Sequence, residues 1–77
     1  MKTNVFLFGP LTDICNSNHI VVEMSADTHS LVDQLKKTYP SLKTAVFAVA
    51  VNNQVVHENT QLREHDTISL LPPFSGG

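Results

Sequence analysis

Only one stretch of this chain repeats its apolar residues at helical spacing. Leu31, Val32, Leu35 and Tyr39 share a face, while Asp33, Gln34, Lys36 and Lys37 point outward. Asp27 or Thr28 can cap its start, because either side chain can accept a bond from an unpaired first-turn amide. Pro40 ends it, and Lys36 and Lys37 near the end suit the negative pole of the helix dipole. Elsewhere apolar and polar residues alternate. A single helix covers only one face of a sheet, so the other face must meet water or a partner.

The alternating segments can be placed one by one. Residues 3–8 are β-branched and aromatic and run into Gly9-Pro10, with Val5 and Leu7 on one face and Phe6 and Phe8 on the other. Residues 19–24 form a second strand, Ile20, Val22 and Met24 alternating against Val21 and Glu23. Residues 11–18 between them read as a polar segment, turn-prone towards its end, so the two strands should pair antiparallel. After the helix, residues 47–51 are strongly apolar, Asn52-Asn53-Gln54 reads as a tight turn, and Val55-Val56 begins the return. Asn tolerates positive φ better than other non-glycine residues, which supports a hairpin there. Residues 58–66 are polar with Leu62 as the only apolar anchor. In the last strand, Thr67–Leu71, Ile68 and Leu70 face one way and Ser69 and Leu71 the other.

The expected fold is therefore α+β, β-β-α-β-β-β, a mixed sheet of about five strands with one main helix packed on one face. At 77 residues and 42% hydrophobic, a single domain over residues 1–71 accounts for the body. A chain of this size buries only about 60–65% of the surface it exposes unfolded, so the core is thin. The longest apolar stretch, residues 45–51, falls far short of the roughly 20 residues of a membrane span. No signal-peptide pattern is present, and a lone Cys15 excludes an internal disulfide framework, so a cytoplasmic protein is expected. A net charge of −2 argues against nucleic acid as a partner, which would call for a basic face.

Residues 72–77, Pro72-Pro73-Phe74-Ser75-Gly76-Gly77, read as a flexible tail. Neither proline offers an amide proton to a ladder, so a stiff, extended exit from the body is expected. Six extended residues reach roughly 20 Å, enough to enter a deep pocket on another protein. Gly76 and Gly77 carry no Cβ and can thread a narrow channel. A terminal carboxylate, with an ordinary pKa of about 3.3–3.7, is an anion at neutral pH and a poor electrophile, so it reacts only after activation, for example as a mixed anhydride with AMP. On composition alone the same glycines also fit a frayed terminus.

Taken together, these residues resemble the small subunit of molybdopterin synthase, the MoaD family of the MoaD/ThiS sulfur-carrier superfamily. The likeness extends over essentially the whole chain. Leu70-Leu71-Pro72-Pro73-Phe74-Ser75-Gly76-Gly77 is similar to that family's apolar-apolar-Pro-Pro-x-x-Gly-Gly ending, and Ala50-Val51-Asn52-Asn53 with Val55-Val56 to its Ala-Val-Asn hairpin. Leu62, Asp66 and Ile68 are similar to its Leu-x-x-Gly-Asp-x-Val approach to the last strand, and Val5-Phe6-Leu7-Phe8-Gly9 to its first strand. Two positions depart from the pattern: Thr12-Asp13 stands where the family often has Arg-Glu, and His65 where it usually has Gly, so His65 must accept positive φ or form a different turn.

The resemblance implies a ubiquitin-like β-grasp fold and a defined cycle. An adenylating (MoeB-like) enzyme would use ATP and magnesium to form an acyl-adenylate on Gly77, and a sulfur donor would convert it to a thiocarboxylate. The loaded tail, Gly76 included, would enter the large (MoaE-like) subunit and give its sulfur to cyclic pyranopterin monophosphate in molybdenum cofactor biosynthesis. The assembly implied is a heterotetramer of two small and two large subunits. In this scheme the chain is not an enzyme on its own, and it binds no cofactor or metal. Phe8, Val55 and Leu71, with Pro72, Pro73, Phe74 and Ser75 of the tail, would meet the partners. Phe6, Phe8, Val55 and Leu71 should lie on the face the helix leaves open, opposite core-facing Val5, Leu7, Val56 and Leu70; an apolar patch there fits a protein contact, and equally a thin core being topped up. Three other roles remain: a ThiS-like carrier for thiamine thiazole synthesis, whose chains tend to be shorter and to lack the double proline; a ubiquitin-like protein modifier; and a plain binding module. Cys15 reads as a small buried apolar residue, and His19, His29, His57 and His65 as scattered surface histidines without metal-ligand spacing.

Overall fold

The computed structural model describes residues 1–73. In chain order its elements are β1 (Lys2–Leu7), α1 (Leu11–Cys15), β2 (His19–Glu23), α2 (Thr28–Thr38), a 3₁₀ turn (Pro40–Lys43), β3 (Ala48–Val51), β4 (Gln54–Val56) and β5 (Thr67–Leu71). They build one five-stranded sheet in the order β2-β1-β5-β3-β4. β1 runs antiparallel to β2 and parallel to β5, and β3 runs antiparallel to both β5 and β4. The expected mixed sheet with one main helix is present, in the ubiquitin-like β-grasp arrangement. The last strand is also the central one. β5 is bonded on both sides, to β1 and to β3, so the element that leads to the tail is held within the sheet rather than at its edge.

Alternation assigns the faces as expected. Val5, Leu7, Ile68 and Leu70 point under the helix with at most 2% exposure and meet Leu31 and Leu35 of α2 and Leu42 of the 3₁₀ turn. Each such side chain stabilises the fold by roughly 1.5–3 kcal/mol on leaving water. Leu62 is buried as well, which anchors the polar loop before β5. Asp27, not Thr28, is the helix cap: its Oδ1 accepts from the Ser30 amide at 2.8 Å. That amide bond is the main cause of a carboxyl pKa held below its ordinary value. Thr28 is buried instead, its hydroxyl donating to Asn59 Oδ1 at 3.3 Å and accepting from the Thr60 amide at 3.0 Å. The helix stops at Thr38, two residues before Pro40.

Residues 11–18 differ from expectation. They open with a five-residue helix, α1, that buries Leu11 and Cys15 one turn apart and closes at Asn16 in the left-handed region, φ 55°. Five residues give too short a window for periodicity to register, although Leu11, Ile14 and Cys15 do stand at helical spacing. Strand ends move slightly: β1 spans Lys2–Leu7 and leaves out Phe8, and β3 begins at Ala48, after Phe47. The asparagine turn is present but one residue shorter than expected: Gln54 already belongs to β4, paired with Val51. Asn52 and Asn53 both have positive φ, 51° and 68°, the backbone a two-residue hairpin requires. His65 accepts positive φ too, at 73°.

Candidate functional site

The strand register lays a row of side chains across the face away from the helix. His19 pairs with Phe6, Phe6 with Ser69, Ser69 with Ala50, and Ala50 with Val55. The row is high at its ends and low in the middle. Phe6 is 36% and Val55 43% exposed, whereas the small Ser69 and Ala50 between them are only 7% and 2% exposed. Phe8, 47% exposed, stands beside the end of β5, its amide donating to the Leu70 carbonyl at 3.2 Å. Leu71, half-buried, pairs with Ala48 one step further along. Phe8, Leu71 and Val55 thus share one surface, Phe8 and Leu71 close to the tail and Val55 on the edge strand. Pro72 is half-buried and Pro73 exposed. Phe74, Ser75, Gly76 and Gly77 lie outside the described residues, as does most of the expected 72–77 tail.

One feature of this face was not anticipated from the sequence. The His19 ring stacks on Phe6 with centroids 4.5 Å apart and planes 12° from parallel, and its Nε2 lies 2.8 Å from Asn4 Oδ1. Aromatic pairs of this kind add about 0.5–1.5 kcal/mol beyond burial. The stack therefore fixes the Phe6 end of the row. The β1–β2 register, which sets Phe6 opposite His19, is what creates it.

Below the face, a polar clamp fixes the start of β5. Asn52 donates from Nδ2 to Asp66 Oδ1 at 2.8 Å and accepts at Oδ1 from the Thr67 amide at 2.9 Å. The other Asp66 oxygen accepts from the Arg63 amide at 2.8 Å. These bonds, the Arg63 amide first, lower the Asp66 pKa. Asp66 is thus a turn residue whose carboxylate holds the Arg63 amide and the Asn52 side chain, as its place before the strand suggested. Burial pushes the Cys15 thiol pKa up, the opposite of what a nucleophilic thiolate needs. A groove of about 670 Å³ runs between α2 and the β3–β4 hairpin, past His29, Asp33, Lys36, His57 and Glu58. Among the described residues no three histidines, cysteines or acids come together as a metal site, and no helix is long and apolar enough to cross a membrane.

The central strand of a β-grasp body runs into Pro72-Pro73 beside an open, partly apolar face. The chain belongs to the ThiS family, whose model matches residues 5–77. It is 32% identical, over its whole length and 99% of the relative's, to a molybdopterin synthase sulfur carrier subunit of Mycobacterium tuberculosis. Among solved structures, it matches with a TM-score of 0.74 and 32% identity, over 100% of both chains, a protein–protein complex of subunits 1 and 2 of the molybdopterin-converting factor from Helicobacter pylori. The small archaeal modifier protein 1 of Methanosarcina acetivorans shares the fold, at a TM-score of 0.84 and 22% identity over 99% of this chain and 96% of that one.

Proposed function

We propose that this chain is the sulfur-carrier small subunit of a molybdopterin synthase. The observation that carries the reading is the end-to-end likeness to a sulfur carrier subunit in a chain whose doubly bonded central strand runs straight into Pro72-Pro73. An adenylating enzyme with ATP and magnesium joins the Gly77 carboxylate to AMP and releases pyrophosphate. A sulfur donor then displaces AMP and leaves a thiocarboxylate. The body docks on the large synthase subunit through Phe8, Val55 and Leu71, the tail enters that subunit's active site, and the sulfur passes to cyclic pyranopterin monophosphate. Two such carriers serve two large subunits. The chain supplies the reacting atom and its address; the activating enzyme and the large subunit supply the catalysis.

The test is ATP–pyrophosphate exchange by the adenylating enzyme of the same cell, with this chain as acceptor. Exchange should require Gly77 and vanish when that residue is deleted or the chain is extended past it, with unchanged thermal unfolding. Exchange that persists without Gly77 contradicts the mechanism. Capture of a thiazole synthase in place of a molybdopterin synthase large subunit would move the same chemistry to thiamine synthesis, and ladders of high-mass conjugates would make the chain a modifier.

A further inference from the structure

Pro72 is half-buried and Pro73 exposed, and the ring of Pro72 rests against Gly9. A Cβ at Gly9 would lie 3.1 Å from Pro72 Cγ, 3.6 Å from its Cβ and 3.7 Å from its Cδ. The proline ring therefore leans over a bare α-carbon whose φ, +59°, suits glycine in any case. Both sides of the contact are held. The Gly9 carbonyl accepts from Thr12 Oγ1 at 2.8 Å and from the Thr12 amide at 3.1 Å, and Phe8 is tied to Leu70. On the other side Leu71, next to Pro72, is in the ladder with Ala48.

Proline fixes its own φ near −65°, and Pro73 in turn confines Pro72 to extended backbone. Once the ring is seated, the direction of Pro73 has little freedom left. We infer that Gly9 is a positioning residue for the C-terminal tail: its missing side chain is the seat for Pro72, and the seat sets the line along which the glycines leave the body. The contact is a property of the fold; its consequence for transfer rests on the carrier function proposed above. A side chain at position 9 must push the ring outward. Over an extended tail of roughly 20 Å, a tilt of about 10° at Pro72 moves the far end by roughly 3 Å.

Gly9→Asn separates the seat from the backbone, since Asn tolerates positive φ but places its Cβ against the ring. The direct measurement is the dipolar distance between nitroxides on cysteines replacing Lys37 and Ser75, in a Cys15→Ser background. Ser75 lies three residues beyond Pro72, about 10 Å of extended chain, so Gly9→Asn should shift the mean distance by roughly 2 Å or broaden its distribution by as much. Pro72→Ala, which removes the ring and leaves Gly9 intact, should do the same. Distances unchanged in both variants overturn the inference. In adenylation, Gly9→Asn should lower kcat by about a hundredfold at unchanged KM, with thermal unfolding within a few degrees of the parent. A displaced tail with full kcat overturns the functional half. A parent chain that is never adenylated removes the proposed function, while the dipolar distances still decide the seat.

Discussion

Replacing Phe8 by Ser should cut docking without unfolding the domain. An aromatic side chain buries about 150–250 Å² when fully covered, and Phe8 leaves 47% of its surface in water. A partner that covers it would therefore remove roughly 70–120 Å² of apolar surface. At about 25 cal/mol per Å² this is roughly 2–3 kcal/mol, or roughly a 20- to 140-fold loss of affinity. Titration calorimetry against the large synthase subunit reads that loss directly, and Val46→Ser is the matched control. Val46 is more exposed than Phe8, at 73%, but lines the groove on the helix side. The expected pattern is weak binding for Phe8→Ser, parental binding for Val46→Ser, and unfolding curves close to the parent for both. Parental affinity in Phe8→Ser would refute the assignment of the open face as the docking surface.

Asn52→Ala should cost roughly 2–4 kcal/mol in urea unfolding, about 0.5–1.5 for each of two hydrogen bonds and about 1 for positive φ on a residue with an ordinary Cβ. Asn52→Gly should lose only the hydrogen-bond part, and equal losses would contradict the role given to φ. Asp27 and Asp66 have folded pKa values below their ordinary ones, so the stability they add is complete above the unfolded value of about 3.9 and is lost as pH falls through the folded values. Urea midpoints measured down the pH scale should therefore drop in acid, and less steeply in Asp66→Asn. Cys15→Ser should lose about 1–3 kcal/mol of stability for a buried hydroxyl and keep parental sulfur transfer below its melting temperature; loss of transfer in folded protein would make the thiol a participant.

Much of this architecture is written in short-range pattern. Period-two alternation places Val5, Leu7, Ile68 and Leu70 in the core because a strand offers a side chain only two directions, and the structure puts all four there. The Asn52-Asn53 turn is equally local, since the demand for positive φ is met by residue type. α1 escapes notice because five residues hold barely one turn, too little for a period to repeat. The stack of His19 on Phe6 and the seat of Pro72 on Gly9 depend on residues 13 and 63 positions apart in sequence, which meet only once strand order and register are set. The order β2-β1-β5-β3-β4 is itself non-local: the first strand pairs with the last, and β2 and β3, which flank the helix in sequence, end with two strands between them. For the same reason Ser69, placed on the open face by alternation, is nevertheless buried: its neighbours in the row, Phe6 and Ala50, belong to other strands.

The central claim is that Gly77 carries sulfur. Intact-mass measurement of the protein isolated from cells making molybdenum cofactor is the most direct test, combined with fragmentation to locate any change. The account predicts a species heavier by one sulfur-for-oxygen exchange, confined to the terminal glycine and absent when the activating enzyme is deleted. A terminus that remains an ordinary carboxylate in such cells, or a sulfur found on Cys15 instead, contradicts it.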